Sequence, residues 1–112
     1  MPVPDSEQAV VTQEKVYDYL LNTEHPDGGC KAMWFASLGY ERENWRMLAD
    51  DLLKIARTCK EFTTETSPFG VKYKCRGEVG RSGHRPGRVM VVWIVEPDEP
   101  PRLVTAYPDD AE

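Results

Sequence analysis

The sequence predicts a single α+β domain spanning residues 1–112, with about three N-terminal helices packed on a C-terminal antiparallel sheet of three to four strands. Apolar residues recur at helical intervals as far as residue 59 and alternate with a period of two from residue 70 onward. With 40% hydrophobic and 29% charged residues, the chain has the apolar material for one core. Helices followed by sequential hairpins are typical of a layered α+β fold.

Three segments of the first half carry a helical pattern. Thr12 is suited to cap a first helix that runs to about Asn22. Residues 30–38 predict a second, short helix, and Gly39 stands where a left-handed cap would end it. The third helix is the clearest, because its apolar residues recur at intervals of 3, 4, 3 and 4. These residues are Trp45, Leu48, Leu52, Ile55 and Cys59.

The second half has the pattern of strands. In residues 71–79, Val71 and Tyr73 alternate with Lys72 and Lys74, which predicts a half-buried antiparallel strand. The Gly-rich residues 80–88 predict a hairpin loop, the apolar run 88–96 a central strand, and residues 102–108 a last strand. Residues 60–68 predict either an irregular connection or a short edge strand. Residues 1–11 are expected to form a loose arm and residues 108–112 an acidic tail.

Composition limits the class of protein. No apolar stretch reaches the eighteen or so residues of a membrane span, and the first residues lack the pattern of a signal peptide, so we expect a cytoplasmic protein without a membrane partner. The three cysteines, Cys30, Cys59 and Cys75, are widely spaced and odd in number, which favours reduced thiols over a disulfide framework. No metal-binding or nucleotide-binding motif is present, and we expect no cofactor.

Charge is distributed unevenly along the chain. The net charge is −5, yet residues 70–88 contain six basic residues and one acidic residue, for a local charge of +5, while the remainder carries −10. Such asymmetry predicts a surface that faces a polyanion such as RNA. A solvated sheet face without a partner is the alternative. Lys72 is one of these six cations, and the other five are the candidate RNA-binding residues: Lys74, Arg76, Arg81, Arg85 and Arg88.

Two candidate catalytic residues lie around the second helix. His25 titrates near neutral pH and could transfer protons as a general acid or base, although a His-Pro pair in a loop is often only a turn or a cap. Lys31 falls in the first helical turn, where the helix dipole disfavours a cation. Such a local conflict indicates either a functional residue or an exposed lysine that reaches back to Asp27. His84, in the Gly-rich loop, is the weaker histidine candidate.

Two hydroxyl groups in the last strand are further candidates. Thr105 and Tyr107 alternate with Val104 and Ala106, so their side chains share one face of the strand. If that face is the open side of the sheet, the two hydroxyls lie near the strand lysines and could orient and stabilise a phosphate, and Tyr107 could stack on a base. The alternative is simple strand propensity, since Thr and Tyr are common in strands.

The order of these motifs resembles a bacterial family known as domain of unknown function 6883. The resemblance spans about residues 16–108 and rests on the HPDGGCKA segment, the GVKY strand and the closing VTAYP. Helices followed by an antiparallel sheet that ends in a Thr-x-Tyr strand also resemble the superfamily of small ribonucleases that includes barnase, EndoU, the tRNA-cleaving colicins and RelE. This second resemblance is one of fold and motif.

The resemblance implies a metal-independent endoribonuclease of the bacterial toxin type, which cleaves RNA through the neighbouring 2′-hydroxyl. It implies His25 as general acid or base, Lys31 and Lys72 as stabilisers of the phosphorane charge, and Thr105 with Tyr107 as positioners of the phosphate. A small antitoxin-like protein is the implied protein partner. The alternative function is a non-catalytic module, which binds RNA or another protein as an antitoxin or immunity protein does.

Overall fold

A computed structural model describes residues 6–22, 29–59, 62–81, 83 and 86–109, with the backbone alone for residues 6 and 29–31. Within these residues, helical elements precede a four-stranded sheet, so the α+β class and the antiparallel sheet are confirmed. The two α-helices are α1, Gly29–Ser37, and α2, Trp45–Thr58. Short 3-10 helices cover Ser6–Gln8 and Arg42–Asn44. No helix in the described part of the chain is both long and apolar enough to cross a membrane.

The first predicted helix differs in length and winding from the prediction. It forms as a seven-residue π-helix, Glu14–Leu20, which is a rare geometry at that length. The residue at the N-cap position is Gln13 rather than the predicted Thr12, although the Thr12 hydroxyl does accept a hydrogen bond from the Lys15 backbone N–H at 3.2 Å. Val16 and Leu20 are fully buried, so the predicted apolar side of this segment does face the core.

The end of α1 and the start of the 3-10 turn that leads into α2 have clear local causes. Gly39 has a φ of 96°, and its left-handed backbone ends α1. Before α2, Glu41 and Asn44 form a reciprocal capping box. Leu48 and Leu52 are fully buried, which confirms the apolar stripe of α2.

The sheet has the order β1-β2-β3-β4, and every neighbouring pair is antiparallel. Its strands are β1, Phe62–Ser67; β2, Gly70–Val79; β3, Gly87–Val95; and β4, Arg102–Pro108. Of the two structures considered for residues 60–68, the edge strand is the one observed. The prediction of a central strand is confirmed by β3, in which residues 91–94 are buried on both faces.

Directly opposed residues in an antiparallel ladder share a face, so the register assigns each side chain to one side of the sheet. Cys75, Val91 and Trp93 face the helices and are buried in the core. The opposite side is called the open face below. The open face carries Thr63, Glu65, Lys72, Lys74, Arg76, Glu78, Arg88, Met90, Val92, Ile94, Arg102, Thr105 and Tyr107.

A bulge in β4 decides which of its residues reach the open face. Val92 opposes Thr105, whereas the next residue of β3, Trp93, opposes Leu103, so Val104 is an extra residue in the ladder. Leu103 and Ala106 are three positions apart, yet both are buried in the core. Without the bulge, a strict period of two would turn one of them outward.

Candidate functional site

The open face brings several predicted site residues into common rows. One row runs across all four strands, from Thr63 through Lys74 and Val92 to Thr105. Lys74 and Thr105 are therefore separated by a single strand, or about 10 Å between their Cα atoms. Val92, which lies between them, is 5% exposed and forms an apolar floor.

Tyr107 lies in the neighbouring row, opposite Met90, which in turn opposes Arg76. Both predicted hydroxyls of β4 thus face a cation of β2 across one apolar residue of β3. Lys72 lies in the row on the other side, with Glu65, Ile94 and Arg102. The pairing nearest to Thr105 is accordingly with Lys74, and Lys72 is displaced by two residues along β2.

A tyrosine of the π-helix joins this cluster. The Tyr19 hydroxyl lies 3.4 Å from the Thr105 hydroxyl, and either group can donate the hydrogen bond. The two residues are 86 positions apart in the chain, and Tyr19 is half-buried. The sequence did not predict this contact, because a helical period carries no information about a strand so distant in sequence.

Three cations of the open face are held in ion pairs with carboxylates from other segments. Lys74 Nζ lies 3.3 Å from a Glu65 carboxylate oxygen, and Arg76 Nε lies 3.1 Å from Asp109. Arg102 forms the third pair, at 2.6 Å from Glu96. The Lys74 and Glu65 side chains are 36% and 60% exposed, so water screens their attraction. The open face is therefore a mixed surface in which acids compete with any polyanion for the same cations.

The remaining predicted cations are distributed over two regions. Arg88 lies on the open face, opposite Glu78. Arg81 follows the end of β2 and lies elsewhere: its backbone N–H bonds Leu38, and its guanidinium contacts the Met47 sulfur at 2.6 Å. The +5 segment is thus divided between the open face and the region where α1 ends and α2 begins.

Four predicted site residues have side chains outside the described part of the structure. His25, His84 and Arg85 lie outside the described residues. Lys31 lies in the first turn of α1, where the backbone alone is described. Helix α1 contacts both the π-helix and β4, so the element that carries Lys31 is adjacent to the strand that carries Thr105.

A second polar cluster lies on the core side, near the end of β2. The buried Tyr40 hydroxyl donates a short hydrogen bond to Asp51 and accepts one from the Gly80 N–H at 2.9 Å. Burial, and then the hydrogen bond to the Asp51 carboxylate, raise the pKa of Tyr40 above its ordinary value. Asp51 lines a groove of about 630 Å³ between α2 and residues 76–80. This cluster locks β2 to α2 and lies on the face opposite to the candidate site.

Neither cluster suggests a metal centre. Among the side chains that the structure describes, no group of three or more His, Cys, Asp or Glu residues could hold a metal ion. The chemistry available on the open face is that of cations, hydroxyls and half-buried aromatic rings, which suits the binding of a phosphate group.

The comparisons with known proteins agree with this architecture. No curated protein matches the chain. A chain in the structure of a contact-dependent growth inhibition toxin–immunity protein complex from Klebsiella pneumoniae 342 has the same fold, with a TM-score of 0.76 and 17% sequence identity. The alignment covers 96% of this protein and 98% of that chain. A model for the family described as domain of unknown function (DUF6883) matches residues 2–110, and the protein therefore belongs to this family.

Proposed function

We propose that this protein is a metal-independent endoribonuclease of the bacterial toxin type, controlled by a small inhibitory protein. The observation that carries the proposal is the row on the open face in which the Thr105 hydroxyl and the Lys74 ammonium flank one apolar residue. A hydroxyl donor and a cation on either side of a buried apolar residue are suited to hold a phosphate group. The shared fold with a chain of a toxin–immunity complex supports the biological context of the proposal.

In the proposed reaction the 2′-oxygen attacks the adjacent phosphorus, and the bond from phosphorus to the 5′-oxygen of the next nucleotide breaks. The products are a 2′,3′-cyclic phosphate and a free 5′-hydroxyl. His25 accepts the proton of the 2′-hydroxyl or donates one to the leaving oxygen. Lys31 and Lys72 stabilise the charge of the phosphorane, Lys74 binds the phosphate beside Thr105, and Thr105 and Tyr107 donate hydrogen bonds to its non-bridging oxygens.

The first experiment incubates purified wild-type protein and its His25→Ala variant with total bacterial RNA in EDTA, and maps the cut ends. Cleavage by the wild type alone, with cyclic phosphate ends, is the expected outcome, because a general acid or base contributes about 10² to 10⁴ in rate. Failure of the folded, inhibitor-free wild type to cut would refute the proposal. A loss below about tenfold in the variant would remove His25 from the mechanism.

A pair of isosteric variants tests the row itself. Thr105→Val removes the hydroxyl next to the proposed phosphate, and Thr63→Val removes one at the far end of the same row. A hydrogen bond to a charged group is worth about 1.5–3 kcal/mol, so Thr105→Val should slow cleavage by about 10- to 150-fold. Thr63→Val should leave the rate unchanged. Equal effects of the two variants would contradict the proposed position of the phosphate.

A second candidate function, a protein-interaction module of the antitoxin or immunity type, is favoured by a different observation. The outer edge of β1 is exposed along Thr63, Thr64, Glu65 and Thr66, and no described residue pairs with it. The other edge of the sheet is covered where β4 begins, since Val10 donates a hydrogen bond to the Pro101 carbonyl and accepts one from the Leu103 N–H. An open strand edge is a ready surface for pairing with another protein. An inactive protein that still binds a partner, and loses it with Thr64→Pro, would favour this function.

A further inference from the structure

We propose that Cys59 and Cys75 are an oxidation site, at which a peroxide converts two buried thiols into a reversible disulfide. The two sulfur atoms lie 3.3 Å apart, and the Cys59 thiol donates a hydrogen bond to the Cys75 sulfur. Neither residue is part of a disulfide in the structure, and the two residues are 7% and 0% exposed respectively. Neither residue belongs to the candidate site on the open face.

The geometry requires little movement for the bond to form. A disulfide has a sulfur–sulfur distance of about 2.05 Å, so the two atoms need to approach by about 1.3 Å. Cys59 is the residue that follows α2, and its backbone is already extended rather than helical. Cys75 is fixed in the ladder between Phe62 and Val91. The adjustment therefore falls on Cys59, at the junction between a helix and a strand.

The two cysteines differ in access to solvent. Cys59 lines the groove between α2 and the end of β2, together with Thr58 and Gly77, and this groove admits a molecule as small as hydrogen peroxide. Burial, and then the neighbouring Cys59 thiol, raise the pKa of Cys75, which keeps Cys75 protonated. Cys59 is thus the residue that meets the oxidant first, and Cys75 is the resolving thiol.

The chemistry balances with peroxide as the oxidant. The Cys59 sulfur attacks the O–O bond, becomes a sulfenic acid, and one water is released. The Cys75 sulfur then attacks the Cys59 sulfur, the S–S bond forms, and the sulfenic hydroxyl leaves as a second water with the Cys75 proton. Two thiols lose two electrons, and one peroxide is reduced to two waters. The pair is less suited to binding a metal. Structural zinc requires four protein ligands, and the described part of the chain offers no such group.

The disulfide would close a loop that contains part of the candidate site. Residues 60–74 lie between the two cysteines and contain all of β1, the turn after it and the part of β2 that carries Lys72 and Lys74. Cross-linking the ends of a loop of about 15 residues stabilises a fold chiefly by restricting the unfolded chain. Oxidation should therefore fix the β1–β2 hairpin against α2 and raise the thermal midpoint by about 10 °C or more.

The test treats the purified full chain with hydrogen peroxide, blocks remaining thiols under denaturing conditions, and identifies the cysteine peptides by mass spectrometry. The expected product joins the Cys59 and Cys75 peptides with the loss of two hydrogens, and dithiothreitol separates them again. The oxidised chain should melt at a higher temperature than the reduced chain. Cys59→Ser should lack both the cross-link and the thermal shift, while Cys30→Ser should retain them. Should Cys59→Ser fail to fold, Cys30→Ser alone still decides the question.

Three results would overturn the proposal. The first is recovery of Cys59 and Cys75 as blocked, uncross-linked thiols after peroxide has oxidised methionines elsewhere. The second is conversion of Cys59 to sulfinic acid without a cross-link, which would mean that Cys75 cannot reach it. The third is a cross-link that involves Cys30 in its place.

Discussion

The ion pair between Lys74 and Glu65 leads to a quantitative prediction for RNA binding. If the open face binds RNA, Glu65 competes with phosphate for the Lys74 ammonium, and Glu65→Gln should release it. A pair with these exposures is worth about 0.2–1 kcal/mol, so RNA affinity should increase by up to about fivefold while the stability of the fold changes by less than 1 kcal/mol. One added phosphate contact should also make the dependence of log K on log salt steeper by about 0.7.

The measurement is fluorescence anisotropy of a labelled single-stranded oligonucleotide that lacks the 2′-hydroxyl and so cannot be cleaved, over a range of NaCl concentrations. Glu43→Gln is the matched control, because it removes the same charge from an exposed residue of a 3-10 helix away from the open face. In a Lys74→Gln background, Glu65→Gln should have no further effect. Equal effects of the Glu65 and Glu43 variants, or an undiminished Glu65 effect without Lys74, would show that the open face is not the RNA-binding surface.

Three further predictions test the placement of cations and the packing beneath them. Lys72→Gln should reduce the slope of log K against log salt by nearly one phosphate contact, whereas Arg81→Gln should change it little, because Arg81 lies off the open face. Equal slopes for the two variants in the same titration would contradict this division. Gly70→Ala should lower the free energy of unfolding in urea by about 2–4 kcal/mol, because Gly70 has a φ of 150° and the added Cβ would lie 2.5 Å from a backbone oxygen. Gly83→Ala also has a positive φ, but its Cβ would meet no atom within 4 Å, so it should cost only about 1 kcal/mol. Tyr40→Phe should cost about 1–2 kcal/mol of stability at pH 7. Because the pKa of Tyr40 is raised in the folded state, the wild type should lose stability relative to the variant as the pH rises above about 10. If the stabilities of the two proteins fall in parallel at alkaline pH, this linkage is excluded.

The elements that could be predicted from sequence are those whose local pattern agrees with their packing. The intervals of α2 place one side of the helix in the core, and the alternation in β2 turns Lys72 and Lys74 to the open face. The bulge at Val104 could not be predicted, because the register of β4 depends on which of its residues fit the core under the helices. The winding of the π-helix could not be predicted either, because this element contacts α1, α2 and β4 and a helical period does not reveal those contacts.

The charge of the candidate site shows a similar limit. A linear count gives residues 70–88 a charge of +5, but folding brings in carboxylates from outside that segment. Glu65 comes from the preceding strand and Asp109 from the residue after β4, and each pairs with a cation of β2. Arg81 leaves the patch altogether, since the ladder of β2 ends at Val79. A count along the chain therefore overestimates the positive field that a polyanion would meet.

The core and the candidate site are coupled through the same four residues of β4. Burial of both Leu103 and Ala106 requires one extra residue between them, and that residue turns Thr105 outward, where Tyr19 meets its hydroxyl. Bulges tend to occur beside functional sites because they redirect a side chain without breaking the sheet. The hydroxyl that we place on the phosphate is thus oriented by apolar packing on the opposite face, so substitutions that repack Leu103 should be expected to affect the site without touching it.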